Sequence, residues 1–208
     1  MDMNGEIKIS PKYKFSDYKA LNLNYNSPEK DLDIAIEIFD DRINGWYFKA
    51  IEKLLDIEIN DKDINISEKS VLNFGFASIA IMCLLIETLY QFETGSNKTP
   101  PNNKDEYAEF LTRNLSSIFD TKDKAKAFYS NIRCGILHSA ETTEKSTLNT
   151  GKKVEMYSKR KLEVGVIGIY NELHSYFENY KKQIKSDLDM KKNFIDKMEH
   201  IYKNAINF

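Results

Sequence analysis

Apolar residues recur at helical spacing through Leu32, Ile34, Ala35, Ile38, Phe39, Ile43, Trp46, Tyr47, Ala50, Ile51 and Leu54. This pattern predicts a first long helix. It starts at Ser27-Pro28, where serine can cap and proline fits the first turn, and runs to about Leu55. Gly45 lies inside it and marks a bend. Residues 1–26 are polar, aromatic-rich and aperiodic; they read as a surface arm with a short strand at Glu6 to Ile9. Asp61 to Ile66 reads as a loop, after which Asn65 or Ser67 can cap a second helix that ends near Glu93, with Gly95 as a left-handed stop.

Ser96 to Lys104 is a loop rich in Asn, Pro and Gly-flanking polar residues. A third helix covers about Asp105 to Phe119, with Tyr107, Phe110, Leu111, Leu115 and Ile118 on one side. Asp120-Thr121 caps a fourth, which runs to about Ala140. Helical periodicity fails over Thr142 to Lys161. There the turn signal Asn149-Thr150-Gly151 separates two short alternating runs, which predicts a small β-hairpin over about 146–157. Helical spacing resumes at about Leu162 and continues through Ile184, and a last helix covers Leu188 to Ala205. The resulting expectation is an all-α domain of five to six helices over residues 27–208, carrying a hairpin insertion.

Val71 to Ile86 contains no charged residue. It falls short of the roughly 20 residues that span a bilayer and has no Lys/Arg flank, so it is expected to be a buried central helix with no membrane role. The formal net charge of -2 gives no global attraction to nucleic acid, so any such binding must use a local basic patch. The candidates are Lys122, Lys124 and Lys126, the pair Lys152-Lys153, and Lys159-Arg160-Lys161. Cys83 and Cys134, both in apolar stretches, read as buried free thiols of a reducing compartment, and the N-terminus lacks the pattern of a secretion signal; a cytoplasmic location is expected. No C-x-x-C pair or His cluster suggests a metal site, and no cofactor is expected.

The chemistry concentrates in Asn131-Ile132-Arg133-Cys134-Gly135-Ile136-Leu137-His138. A permanently charged guanidinium and an imidazole are the groups needed to bind a phosphate and move a proton. On an ideal helix Ala125, Phe128, Tyr129, Ile132 and Ile136 form the core stripe, while Asn131, Cys134, Gly135 and His138 share another face. Arg133 lies about 140° from His138 on that geometry. Both can border one groove without stacking, and a bend at Gly135, or a second copy across a two-fold axis, could bring them into one site. Glu87, the first charge after the apolar run, needs a partner if buried, and Arg133 is the best one. His174 and His200 read as structural.

An Arg-x-x-x-x-His motif near a helix end, in an all-helical layout covering roughly residues 30 to 200, resembles the HEPN superfamily, and the words Cys83-Leu84-Leu85-Ile86-Glu87-Thr88-Leu89 and Arg133-Cys134-Gly135-Ile136-Leu137-His138-Ser139-Ala140-Glu141-Thr142 resemble a subgroup of uncharacterised bacterial HEPN-like proteins. The resemblance implies an up-and-down helical bundle and a metal-independent endoribonuclease acting on single-stranded RNA, of the kind found in toxin–antitoxin and phage-defence systems. It implies a homodimer whose two Arg–His segments face one RNA strand, and a possible antitoxin or defence partner protein. Arg133 then binds the scissile phosphate, His138 acts as general acid or base, and the RNA 2′-hydroxyl attacks. The chain departs from the family pattern at Cys134, where catalytic members commonly carry Asn, Asp or His. A thiol is a weak hydrogen-bonding group, and Asn131 is the nearest polar side chain that can take its place. Two other readings remain. One is a non-catalytic module that binds RNA, a nucleotide or a protein; the other is a scaffold in which the Arg–Glu pair only fixes the core.

Overall fold

The computed structural model describes residues 7–60, 74–97 and 103–204. The loop expected at 61–66, the caps at Asn65 and Ser67, and part of the 96–104 loop lie outside these residues. The fold is mainly helical with a small three-stranded sheet. The chain divides into two compact units: Met1–Ala50, Gln91–Lys98 and Asn179–Phe208 form the first, and Ile51–Tyr90 with Thr99–Glu178 the second.

In the first unit, α1 (Phe15–Leu21) lies within the stretch read as an aperiodic arm. Seven residues are too few to show a helical period. Phe15 and Tyr18 are buried all the same, and Tyr18 donates to Glu199 at 2.7 Å. Of the strand expected at Glu6 to Ile9, the described residues show a single bridge between Lys8 and Lys14. α2 (Glu29–Ile43) continues through a π-helical turn, Asn44–Phe48, into α3 (Lys49–Asn60). Gly45 sits in that turn, where a methyl group would overlap the Pro11 ring.

α4 spans Gly75–Thr94, α8 spans Val166–Ser186 and α9 spans Leu188–Asn204. Within the first unit Phe39 packs on Phe92, Phe194 and Tyr180, with ring centroids 4.3, 5.4 and 6.4 Å away. The end of α4 is closed by side chains, because its last carbonyls have no partner in the helix. Gly95 takes φ 67. Tyr180 donates to the carbonyl of Phe92 at 2.9 Å, Asn193 to Glu93 at 2.8 Å, and Lys197 to Ser96 at 3.1 Å. Lys197 is buried, which lowers its pKa, and it also donates to Gln91 Oε1 at 2.7 Å.

In the second unit, α5 (Asn103–Asn114) carries Tyr107, Ala108, Phe110 and Leu111 into the core. The Thr121 hydroxyl accepts from Lys124 N and caps α6 (Lys122–Phe128). A π-helical turn over Tyr129–Cys134 leads into α7 (Gly135–Ser139). Aromatic pairs Phe110–Tyr176, Phe119–Phe128 and Tyr107–Tyr129 meet edge to face with centroids 5.1, 5.1 and 5.3 Å apart.

The expected hairpin is corrected. Strands β1 (Thr147–Asn149) and β2 (Val154–Met156) form, but not with each other. Both pair with β3 (Leu162–Gly165), β1 parallel and β2 antiparallel, in the order β1-β3-β2. β3 occupies residues whose apolar pattern had suggested the start of a helix. The segment after β1 crosses the end of β3 instead of reversing on itself. Gly165 N donates to Lys153 O at 2.8 Å, and Gly168 N to Gly151 O at 3.1 Å. A methyl group at Gly165 would overlap the Gly151 carbonyl, and one at Gly168 the Lys152 carbonyl. Two glycines without side chains therefore permit the crossover.

Two outcomes follow. Gly165→Ala should destabilise the protein by about 1–3 kcal/mol in urea unfolding, because backbone rather than a flexible side chain must give way. Burial raises the pKa of Tyr18, Tyr107, Tyr180 and Tyr202, with Glu199 adding to the rise at Tyr18. These phenols hold their protons more tightly folded than unfolded. Their contribution is complete below about pH 10 and is lost as the pH rises above it. Phenolate absorbance from these residues should therefore appear only together with loss of the helical circular dichroism signal.

Candidate functional site

The π turn over Tyr129–Cys134 carries Tyr129, Asn131 and Arg133, and His138 follows on α7. Arg133 Nη1 lies 3.3 Å from His138 Nε2 within one chain. The bend expected at Gly135 is absent; that residue is helical, at φ -59 and ψ -51. Gly135 serves the returning chain, since a methyl group there would overlap the Glu141 carbonyl. α7 ends in Ala140 at φ 52, a left-handed conformation, with Ala140 N donating to Ile136 O at 3.2 Å.

Arg133 Nη2 donates to Glu87 Oε2 at 2.8 Å, so the ion pair anticipated from the cost of burying Glu87 forms. The two side chains are 12% and 17% exposed, enough shielding to strengthen the pair while leaving an edge open. Burial works against the charge on Arg133, but Glu87 outweighs it and the guanidinium pKa is raised. The Tyr129 ring lies under the guanidinium, 5.4 Å away. Tyr129 had been placed on the core stripe. Of that stripe Ala125, Phe128, Ile132 and Ile136 are buried, while Tyr129 is only partly so. The signal for it was the four-residue spacing to Arg133. Arg133 Nε is buried with no hydrogen-bond partner among the described residues. His138 is exposed.

Asn131 does not share a face with His138. It is buried, donates from Nδ2 to the Arg160 carbonyl at 2.9 Å, and accepts from the Thr143 hydroxyl at 3.5 Å. Its carbonyl also accepts from Thr143 N at 2.9 Å. Asn131 thus ties the chain after α7 and the turn Ser158–Arg160 to the π turn. Cys134 is partly buried and sits against Tyr129 and Arg133. Cys83 is buried, and burial pushes its thiol up to about 12 despite a hydrogen bond to Tyr107.

The basic candidates separate into two groups. Lys122, Lys124, Lys126 and Lys161 are paired with Glu109, Asp120, Asp105 and Glu163, at 3.4, 2.8, 2.5 and 3.6 Å. Lys152, Lys153, Lys159 and Arg160 are exposed. Lys159 and Arg160 both have positive φ, 60 and 62. His174 lies near the Tyr170 ring, 5.9 Å between centroids, away from the Arg133 cluster in the contacts it makes. Among the described residues, no three His, Cys, Asp or Glu side chains gather as metal ligands.

A comparison with protein-family models finds no match, and comparisons with curated proteins and with solved structures find none either.

Glu87 and Arg133 should be energetically coupled. An alanine double-mutant cycle read by chemical denaturation should give a coupling of about 1–3 kcal/mol. A value near zero would mean that water screens the pair as it does an exposed one.

Proposed function

We propose that this protein is a metal-independent endoribonuclease of the HEPN type that cleaves single-stranded RNA as a homodimer. The observation that carries this reading is the 3.3 Å approach of Arg133 to His138 on a partly open edge of the second unit. In the proposed reaction the RNA 2′-oxygen attacks the adjacent phosphorus while the bond to the 5′-oxygen breaks. The products are a 2′,3′-cyclic phosphate and a 5′-hydroxyl. Arg133 donates to the non-bridging oxygens, where negative charge grows. An imidazole at His138 accepts the 2′-hydroxyl proton, or donates one to the leaving oxygen. A dimer places two such histidines along one strand, so both proton transfers have a group to perform them. The bundle topology of the family belongs to the same proposal.

The outer face of α4 supports the dimer. By length and composition α4 is apolar enough to cross a membrane, and half of that stretch is buried in the protein. The other half leaves Phe76 36% and Leu84 49% exposed, with Ala77 exposed and Ile81 partly so. These positions share one helical stripe that ends one turn later at Glu87. An apolar stripe leading to a charged cluster suits pairing with a second copy about a two-fold axis, which would bring the two Arg–His clusters close. A cytoplasmic toxin or phage-defence effector, held by an antitoxin or another protein, is the setting this chemistry fits. Exposed Lys152, Lys153, Lys159 and Arg160 are the side chains proposed to meet the RNA backbone outside the reacting centre, with Lys161 beside them.

The test is incubation with labelled single-stranded RNA in excess chelator. Wild-type protein should cleave, and the product should carry a cyclic phosphate. His138→Ala and Arg133→Ala should each lose at least about a hundredfold in rate while keeping the helical circular dichroism spectrum. DNA of the same sequence should remain intact, since it lacks the attacking hydroxyl. Intact RNA with a broad pool of sequences, at concentrations where the dimer forms, would sink the nuclease reading. Sedimentation should show a dimer that Leu84→Glu dissociates.

A further inference from the structure

Arg133 and His138 are held against each other in a way that occupies both. A guanidinium carries only donors, so His138 Nε2 must accept at this contact, with the ring proton on Nδ1. That nitrogen is then closed to a 2′-hydroxyl. The guanidinium, for its part, turns one N–H of Nη2 to Glu87 and one of Nη1 to His138, two of its five donors. Its fork is divided between two protein groups and does not face a single anion with two parallel N–H bonds. An imidazolium at His138 would set N–H against N–H, so this contact belongs to the neutral ring alone.

The arrangement is also incompletely satisfied. Arg133 Nε is buried with no partner among the described residues, although a buried ion pair offsets its desolvation only when its remaining hydrogen-bonding groups are used. Glu87 is one carboxylate in the place where a phosphate diester would bring two non-bridging oxygens. The edge of the cluster at His138 is open to solvent, so a phosphate can reach the guanidinium from outside.

We infer that Glu87 is an internal counter-anion that holds Arg133 and His138 in a resting state, and that a phosphate diester displaces it. When the guanidinium turns to the phosphate it releases His138 Nε2 in the same movement. Substrate binding therefore sets free the base, and an empty site keeps it closed. The inference rests on the reading of Arg133 as the phosphate-binding group, and it assigns regulation of that site to Glu87. A residue that only braced Arg133 would have the opposite effect on affinity when neutralised, because its loss would weaken phosphate binding.

The experiment uses the full chain and a single-stranded RNA oligomer methylated at every 2′-oxygen, which cannot be cleaved. Binding is followed by fluorescence anisotropy at fixed salt. Glu87→Gln keeps the shape and an acceptor oxygen for Arg133 while removing the charge. It should bind the oligomer about tenfold more tightly than wild type, with an unchanged circular dichroism spectrum. Glu141→Gln, an exposed acid close to His138 in the chain, should change binding much less, which separates displacement from general charge. The gain should vanish when Arg133→Ala is added to Glu87→Gln.

Unchanged, weaker or absent binding by folded Glu87→Gln overturns the inference, and so does a gain that survives removal of Arg133. A destabilised Glu87→Gln is replaced by Glu87→Met, judged by the same comparison. The two readings fail separately. Wild type that does not cut RNA, with tighter Arg133-dependent binding by Glu87→Gln, removes the nuclease and keeps the counter-anion. Wild type that cuts, with weaker binding by Glu87→Gln, does the reverse.

Discussion

The ion pair between Arg133 and Glu87 is the interaction on which the site depends. Arg133 stands on the π turn over Tyr129–Cys134, which, through Asn131, also fastens two further segments: the chain after α7 and the turn that carries Lys159 and Arg160. Such a turn gives up regular hydrogen-bond geometry, so surrounding contacts must hold it. Here the buried Asn131 amide and the edge contact of Tyr129 with Tyr107 do so.

α4 shows a second constraint of the same kind. Its sequence is apolar nearly all round, which fits a helix enclosed on every side. Phe76, Ala77 and Leu84 are nevertheless exposed, and its end is closed by polar side chains, Tyr180, Asn193 and Lys197. Within the second unit the same helix commits Glu87 to Arg133 and leaves Phe76, Ala77 and Leu84 exposed.

Much of this was legible from residues alone. Long apolar periodicities placed the run from α2 into α3, the end of α4 and the whole of α9 within about five positions, and Thr121 and Gly95 marked helix ends by their ordinary chemistry. The Arg133–Glu87 pair followed from the cost of leaving a carboxylate unpaired near a buried helix. The winding of the helix around Arg133 was not legible, since no residue pattern distinguishes an i→i+5 turn from an α-helical one. Sheet order was hidden for another reason. The turn residues Asn149 to Gly151 do end β1, but β3 comes later in the chain and inserts between β1 and β2. Only the small size of Gly165 and Gly168 records that crossing, and a glycine does not say which backbone it admits.

Cys134 ties these points together. In the HEPN pattern that the Arg133–His138 motif resembles, a polar side chain commonly follows the arginine, and a thiol hydrogen-bonds only weakly. In this chain the guanidinium is oriented from other directions: Glu87 at one nitrogen, the Tyr129 ring below, and His138 at the other nitrogen. Orientation by a full negative charge has a consequence that orientation by a neutral amide lacks. It neutralises the group it positions. Under the proposed function, a site built this way trades affinity for a substrate phosphate against order in its absence, and the balance is set by how readily Glu87 yields.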